Sequence, residues 1–494
     1  MIHVSDLINY SKCQRLSWNR AHKKIPFRSF YHMNTPYSQI WKDYLHFQNV
    51  GNGQVGDTNE RTLHLLKEHD YVYNARFEYR GCRVRIPVLV KLENGFKAIY
   101  PYLSAFPKES EAMVMKVNRD IAAKCGISIV EHEIIYLNKD YVRQEVFDGN
   151  QCLLRSHCLF NRKNKLAHSI EEYMERISYD LDRWIDETTA IIEMENQPET
   201  KRSKTCTAGR RCIYYDTCFD ETDQPDDSIL FLTTSRNKID AYHQGIQHVY
   251  ELPEDQLDGF RLQYSQMMAS RKQAPFIDRA AIQVWLQKIT YPVSYLDFEW
   301  DIFAIPPYKG MKPFDVLCFQ YSLHIEDSDG SLRQVSFFDT NDCREAFIQS
   351  LLKEIPKSGS ILVYNMAGAE QLRLIQLSEQ FPKYKEELKQ IWTRMVDLSK
   401  PFEAGLFYDN KMRGHYSLKN VLPAFSDTYS YTELDIKNGL NAVDAYRLFD
   451  KSDIQKQEEI RKNIEQYCQM DTFAEYIVYH GLKNLTEENG ACQI

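Results

Sequence analysis

The chain has 494 residues, 43% hydrophobic and 26% charged, proportions of a folded protein that exclude a disordered or fibrous chain. Its length exceeds one comfortable core and predicts two or three domains. A net charge of −8 excludes a protein that coats nucleic acid by bulk electrostatics. Residues 1–225 are nearly charge-balanced, so the acidic excess lies in the remainder, where clustered carboxylates suit divalent-metal chemistry. No apolar run approaches the roughly 18–20 residues that span a bilayer. The start, Met1 to Asp6, lacks the basic flank and apolar stretch of a signal peptide, so the expectation is a cytoplasmic protein without membrane association.

Ser5-Asp6 predicts the cap of a first helix running toward Cys13. Residues 74–103 hold apolar, β-branched stretches broken at Glu93-Asn94-Gly95, a strand pair with a tight turn. Glu133–Leu137 reads as another strand. Ser169 and Glu172 form a capping box before Ile170, Tyr173, Ile177, Leu181 and Trp184, predicting one amphipathic helix. Periodicity lapses over Asn196–Asp227, and helical pattern resumes over about 255–288.

After Pro292 the texture changes: an apolar strand Val293–Phe298, a Pro/Gly-rich loop at 305–310, strands at 316–325 and 333–338, a helix near 343–355, a strand Ser360–Tyr364, then helices. This order predicts an α/β domain with a mixed sheet. The expected division is 1–227, a helical connector 228–290, and 291–494.

Asp297 and Glu299 stand at i and i+2 near the end of a strand and therefore leave one face. Tyr467 and Asp471 stand at i and i+4, one above the other on a helix. Between them, strand Ile361–Tyr364 runs into Asn365, with Glu370 on the helix beyond. Four carboxylates converging on two cations would activate a water and stabilise both oxygens of an in-line phosphoryl displacement, and Tyr467 would orient or deprotonate that water.

This order resembles the DnaQ-like, or DEDD, 3′–5′ exonuclease superfamily in its tyrosine subtype. Asp297 and Glu299 match its first motif, and Tyr467 and Asp471 its third. At the second motif Val363–Glu370 offers Glu370 where the family has an aspartate, and Asp397 in Arg394–Leu398 is the reserve candidate. His415–Asn420 is similar to the family's helix-starting segment, which implies phosphate contact by Lys419 or only a capped helix.

Twelve cysteines in a chain without an export signal imply reduced thiols or metal ligands. Cys82, Cys125, Cys152, Cys158, Cys318, Cys343, Cys468 and Cys492 are scattered and read as small buried hydrophobes. Cys206, Cys212 and Cys218 are instead separated by five residues each in a Gly-containing loop, with Cys13 the candidate fourth ligand. One early cysteine and a late trio resemble the iron–sulfur staple of RecB-like nucleases. That resemblance implies a structural four-iron, four-sulfur cluster, with zinc satisfying the same ligand count.

The nuclease carboxylates of RecB-like (PD-(D/E)xK) domains are missing, since Pro87, Tyr100, Tyr102 and Asn118 fall where acids, a lysine and a glutamine belong. The N-terminal site is expected to be degenerate and the domain a scaffold. Arg83, Arg85, Tyr100 and Tyr102 would contact nucleic acid or form an ordinary amphipathic strand pair.

The whole chain is similar to an uncharacterised bacterial family joining such a RecB-like region to a C-terminal RNase H-like, DEDD-type domain. The resemblance implies a Mg²⁺- or Mn²⁺-dependent 3′–5′ exonuclease on single-stranded DNA or RNA. The alternative is a non-catalytic, iron–sulfur nucleic-acid-binding or complex-assembly protein, and a redox-switch role for the cluster is a third reading.

Overall fold

The structure, a computed structural model, describes residues 1–26, 28–207 and 210–487. Its helices and mixed sheets make it α/β. It divides into two compact units. Met1–Asp220 with Phe303–Asp315 forms the first, and Glu221–Ile302 with the chain from Val316 onward forms the second. Among the described residues no helix is long and apolar enough to cross a membrane.

The first unit is built on a seven-stranded mixed sheet ordered Val50–Asn52, Tyr71–Tyr79, Cys82–Leu92, Gly95–Pro101, Ile129–Leu137 and Leu153–Ser156, with Ile2–His3 beside Cys82–Leu92. The turn expected at Glu93-Asn94-Gly95 closes this sheet's central hairpin, with Leu92 opposite Gly95. The first helix spans Val4–Lys12, and Asp6 caps it from within by accepting from the His3 backbone amide at 2.8 Å. Ala304, Ile305 and Phe314 pack with Trp41, Tyr73 and Ile99 in this unit.

The single helix expected from Ile170 through Trp184 is two helices, Ile170–Glu175 and Leu181–Glu193. The Ser169–Glu172 capping box starts the first. Asp180, whose side chain accepts from Arg183 N at 3.1 Å, starts the second, so a competing N-cap interrupts the apolar period. The helical stretch expected over 255–288 divides likewise into Arg261–Lys272 and Arg279–Leu286. Pro275 bars continuation of the first helix, and Asp278 caps the second.

The second unit carries a five-stranded sheet ordered Leu332–Phe338, Val316–Glu326, Val293–Ile302, Ser360–Val363 and Met395–Asp397, with two antiparallel pairings followed by two parallel ones. Val293–Ile302 is the central strand, and its apolar run reflects burial on both faces. Leu296 and Phe298 pack with Phe347, Ile348 and Leu374 on one side. Val293 and Tyr295 pack with Ala474, Val478 and Tyr479 on the other.

Those last residues belong to the long helix Ile454–Glu487, whose buried stripe runs through Ile460, Ile464, Tyr467, Cys468, Asp471, Thr472, Glu475, Val478 and Leu482 at helical spacing. Polar contacts fix its register on the sheet. Thr472 Oγ1 lies 2.8 Å from both Ser322 Oγ and His324 Nδ1, and burial pushes His324 down to about 4, keeping its ring neutral. At the end of the strand Val316–Glu326, buried Glu326 accepts from Tyr295 Oη at 2.6 Å and meets His480 Nε2 at 3.0 Å.

Of the scattered cysteines, Cys82, Cys152, Cys318, Cys343 and Cys468 are buried, Cys125 and Cys158 are half-buried, and Cys492 lies outside the described residues.

One ion pair ties the central strand to the helix Gly439–Phe449. Asp301, fully buried, accepts from Arg447 Nε at 2.9 Å and from Nη2 at 2.5 Å. Arg447→Met would strip a buried carboxylate of its guanidinium, a loss of about 3–5 kcal/mol. Denaturant unfolding is expected to show that loss as a lower midpoint with little change in slope.

Candidate metal centre

The central strand presents Asp297 and Glu299 on the face that receives the long helix, continuing the line of Val293 and Tyr295. Pairing with Ser360–Val363 ends at Tyr295 opposite Leu362, so both carboxylates lie beyond the last residue paired on that side. On the other side the ladder with Val316–Glu326 shifts register between Glu299 and Trp300, a bulge that turns the strand end. Asp471 arrives from the helix. Carboxylate oxygens of Asp297, Glu299 and Asp471 lie within 4.8 Å of one another, a donor set suited to a hard divalent cation.

Crowding these acids away from water makes ionisation costly. Burial, then the charges of Asp471, Glu370 and Glu299, push the Asp297 carboxyl well above its ordinary value. Burial and then Asp471 push Glu299 up to about 8. Glu370 is likewise raised by burial to about 8. Asp471 is also raised by burial, against the pull of Tyr431, Lys419 and Tyr467. Tyr431 donates to its Oδ1 at 2.6 Å, and Cys468 Sγ lies 3.2 Å from Asp297 Oδ2.

Lys419 stands among these groups. Its Nζ donates to Lys437 O at 2.6 Å and to Tyr467 Oη at 2.9 Å, and it lies over the rings of Tyr431 and Tyr467. Burial lowers its pKa, opposed by Asp471, Glu299 and Asp297. Glu299 also faces the start of the helix Gly439–Phe449, where a Cβ on Gly439 would stand 3.2 Å from its Oε2. The helix dipole favours the carboxylate there.

The two candidates for the second motif have different surroundings. Asp397 is spent on the backbone. It accepts from the amides of Asn365 at 3.0 Å, Met366 at 3.2 Å and Ser399 at 3.0 Å, and from Ser399 Oγ at 2.6 Å. These bonds hold the turn at which Asn365 enters the left-handed region (φ 63°). Glu370 is 1% exposed, and its Oε2 has no hydrogen-bond partner among the described residues. Its charge is felt by Asp297 and Glu299.

Glu475, four residues beyond Asp471, is a buried carboxylate of the same neighbourhood that the motif order does not reveal. The sequence signal for it is an acid at i+4 from Asp471, in line with the apolar Ile460, Ile464, Val478 and Leu482.

In the first unit, Cys13, Cys206, Cys212 and Cys218 line one cavity of about 450 Å³, together with Arg20, Arg210 and Arg211. Cys13 separates the helices Val4–Lys12 and Gln14–His22. The Cys212 amide donates to Cys206 O at 2.8 Å, and Asn19 Nδ2 reaches Cys218 Sγ at 3.6 Å. Burial pushes the Cys218 thiol up, with Arg15 opposing and Cys212 and Cys13 near enough to add to the rise. Ala208 and Gly209 of this loop lie outside the described residues.

Where the sequence leads one to expect a degenerate nuclease site, Asn118 Nδ2 donates to the buried Tyr100 Oη at 3.4 Å, and burial, then Glu111, raise the Tyr102 phenol. Arg83 is paired with Glu78 at 2.5 Å, and Arg85 is exposed between the buried Val84 and Ile86. Pro87 is half-buried in the same strand. This is the alternation of an ordinary amphipathic strand.

Residues 294–417 match a family described as a domain of unknown function (DUF2779). The match spans Asp297, Glu299, Glu370 and Asp397 and ends before Lys419, Tyr467 and Asp471. Comparison with curated proteins and with solved structures found no match.

The raised carboxyls set a pH dependence. Acids at about 8 in the folded chain hold protons that the unfolded chain has released, so the unfolded state binds fewer protons and stability falls as pH rises. The ion-free protein is expected to lose melting temperature steadily from about pH 5 to pH 8.5. Saturating Mg²⁺ or Mn²⁺, which neutralises the ionised cluster, is expected to flatten that slope in the same melts.

Proposed function

We propose that the protein is a metal-dependent phosphodiesterase, a 3′–5′ exonuclease on single-stranded DNA or RNA. The observation that carries this reading is the convergence of Asp297, Glu299 and Asp471, from distant parts of the chain, within 4.8 Å. The polarity and the single-stranded substrate rest on the resemblance to the DEDD superfamily.

Asp297, Glu299, Asp471 and Glu370 would hold two Mg²⁺ or Mn²⁺ ions, which supply Lewis acidity and an activated water when bound. Glu370 is favoured over Asp397 for the fourth carboxylate because its Oε2 is unpartnered among the described residues, whereas Asp397 is consumed by the turn it caps. Burial, then Asp471, raise the Tyr467 phenol, so Tyr467 orients the attacking water by hydrogen bonding and does not take its proton. Lys419, bonded to Tyr467, brings a cation to the side where phosphate charge would arrive.

The four thiols of the first unit belong to the same proposal as ligands of a structural four-iron, four-sulfur cluster, with zinc as the alternative. Lining one cavity beside several arginines supports this, since cationic surroundings favour thiolates. Such a ligand set would join the two N-terminal helices to the Lys204–Cys218 segment, and reduced thiols accord with a cytoplasmic location.

Purified protein with Mn²⁺ is expected to shorten 3′-accessible, end-labelled oligonucleotides. Asp297→Ala/Asp471→Ala is expected to lower that rate by on the order of 10³-fold or more, and equal degradation by both would refute the assignment. Anaerobically purified protein is expected to be brown, with the visible absorbance lost in Cys13→Ala and Cys212→Ala. A colourless protein with stoichiometric zinc would replace iron while keeping the ligands.

A further inference from the structure

Residues 426–438 form neither helix nor strand, yet they are tied at intervals to the long helix Ile454–Glu487. Tyr429 packs edge-on against Phe473, with ring centroids 5.1 Å apart. Tyr431 Oη donates to Asp471 Oδ1 at 2.6 Å. Asp435 Oδ2 accepts from Asn463 Nδ2 at 3.1 Å, and the neighbouring Ile436 is buried. Later residues of the segment meet earlier residues of the helix. The segment is therefore a strap running antiparallel to the helix, along the roughly 15 Å that separate Asn463 from Phe473.

This strap reaches both Tyr467 and Asp471. Asp471 is bonded directly by Tyr431. Tyr467 is bonded through Lys419, whose Nζ donates to Lys437 O in the strap and to Tyr467 Oη. The same ammonium lies 4.7 Å from the ring centroid of Tyr431 and 4.6 Å from that of Tyr467, so the two phenols share one cation.

Asp471 shares a 4.8 Å space with Asp297 and Glu299. Like charges at that range push one another apart, and an aspartate can answer by turning about its side-chain torsions. A hydroxyl donor carried on a segment pinned elsewhere opposes that turn, and a short bond from a hydroxyl to a carboxylate is among the stronger hydrogen bonds.

We propose that Tyr431 is a positioning residue of the metal centre: its phenol holds the Asp471 carboxylate in the orientation that meets Asp297 and Glu299, so that the donor set is assembled before an ion arrives. The inference rests on the metal-dependent reading above and adds to it a residue outside the acidic motifs. Ligands set in place beforehand lose less freedom on binding, and the hydrogen-bond partners of ligating carboxylates govern metal affinity.

Calorimetric titration of Mn²⁺ into the ion-free full-length chain tests this without reference to turnover. Tyr431→Phe removes one oxygen and keeps the ring beneath Lys419. It is expected to weaken Mn²⁺ binding by about tenfold or more while the ion-free melting temperature stays close to that of wild type. Asn463→Ala cuts another tie of the same strap without touching an acid, and is expected to bind Mn²⁺ as wild type does. Wild-type Mn²⁺ affinity in Tyr431→Phe would overturn the inference, whatever its melting temperature, because the hydroxyl would then serve only the fold. Equal weakening in Asn463→Ala would overturn it as well, by making any loosening of the strap sufficient. A wild-type isotherm indistinguishable from that of Asp297→Ala would overturn the metal-dependent reading itself, and the inference with it.

Discussion

Mutual repulsion among carboxylates buried on one face of the central strand is the constraint around which the second unit is organised. Glu299, Glu370, Asp471 and Glu475, all buried, and the half-buried Asp297 are drawn together from three elements. Lys419 is the ammonium among them, and Arg373 also acts on Glu370. Uncompensated, such a set favours unfolding or protonation.

The scaffold that holds the acids in place is correspondingly apolar and over-determined. The central strand is anchored on both faces by aromatic and aliphatic packing. The long helix is locked in register by Thr472 against Ser322 and His324. Asp301 and Arg447 set the helix whose first residue meets Glu299. Each contact lies away from the acids yet decides where one of them points, the arrangement required when like charges must be kept at fixed separation.

What was legible in the sequence follows from the same physics. The apolar run Val293–Phe298 marked a strand buried on both faces, so Asp297 within it and Glu299 directly after it stood out as acids in the wrong surroundings. Glu370 was visible only through the order of elements. Asp397 resembled it in sequence, and only the amides that surround it separate the two. Glu475 was hidden because an acid in a helix ordinarily marks the solvent side, and its burial depends on a sheet register that one sequence does not declare. Local errors arose where two signals competed: Asp180 restarts a helix that the apolar period alone would carry through.

The segment Phe303–Asp315 leaves the acidic strand, contributes Ala304, Ile305 and Phe314 to the packing of the first unit, and returns to the neighbouring strand. A chain threaded in this way has no single peptide bond whose cleavage yields two whole pieces. Any fragment beginning near Glu221 carries a tongue shorn of its apolar bed, and its counterpart carries a bed with nothing in it. Replacing the N-terminal portion would for the same reason also mean rewriting the thirteen residues Phe303–Asp315, which lie far along the chain between two strands of the second unit.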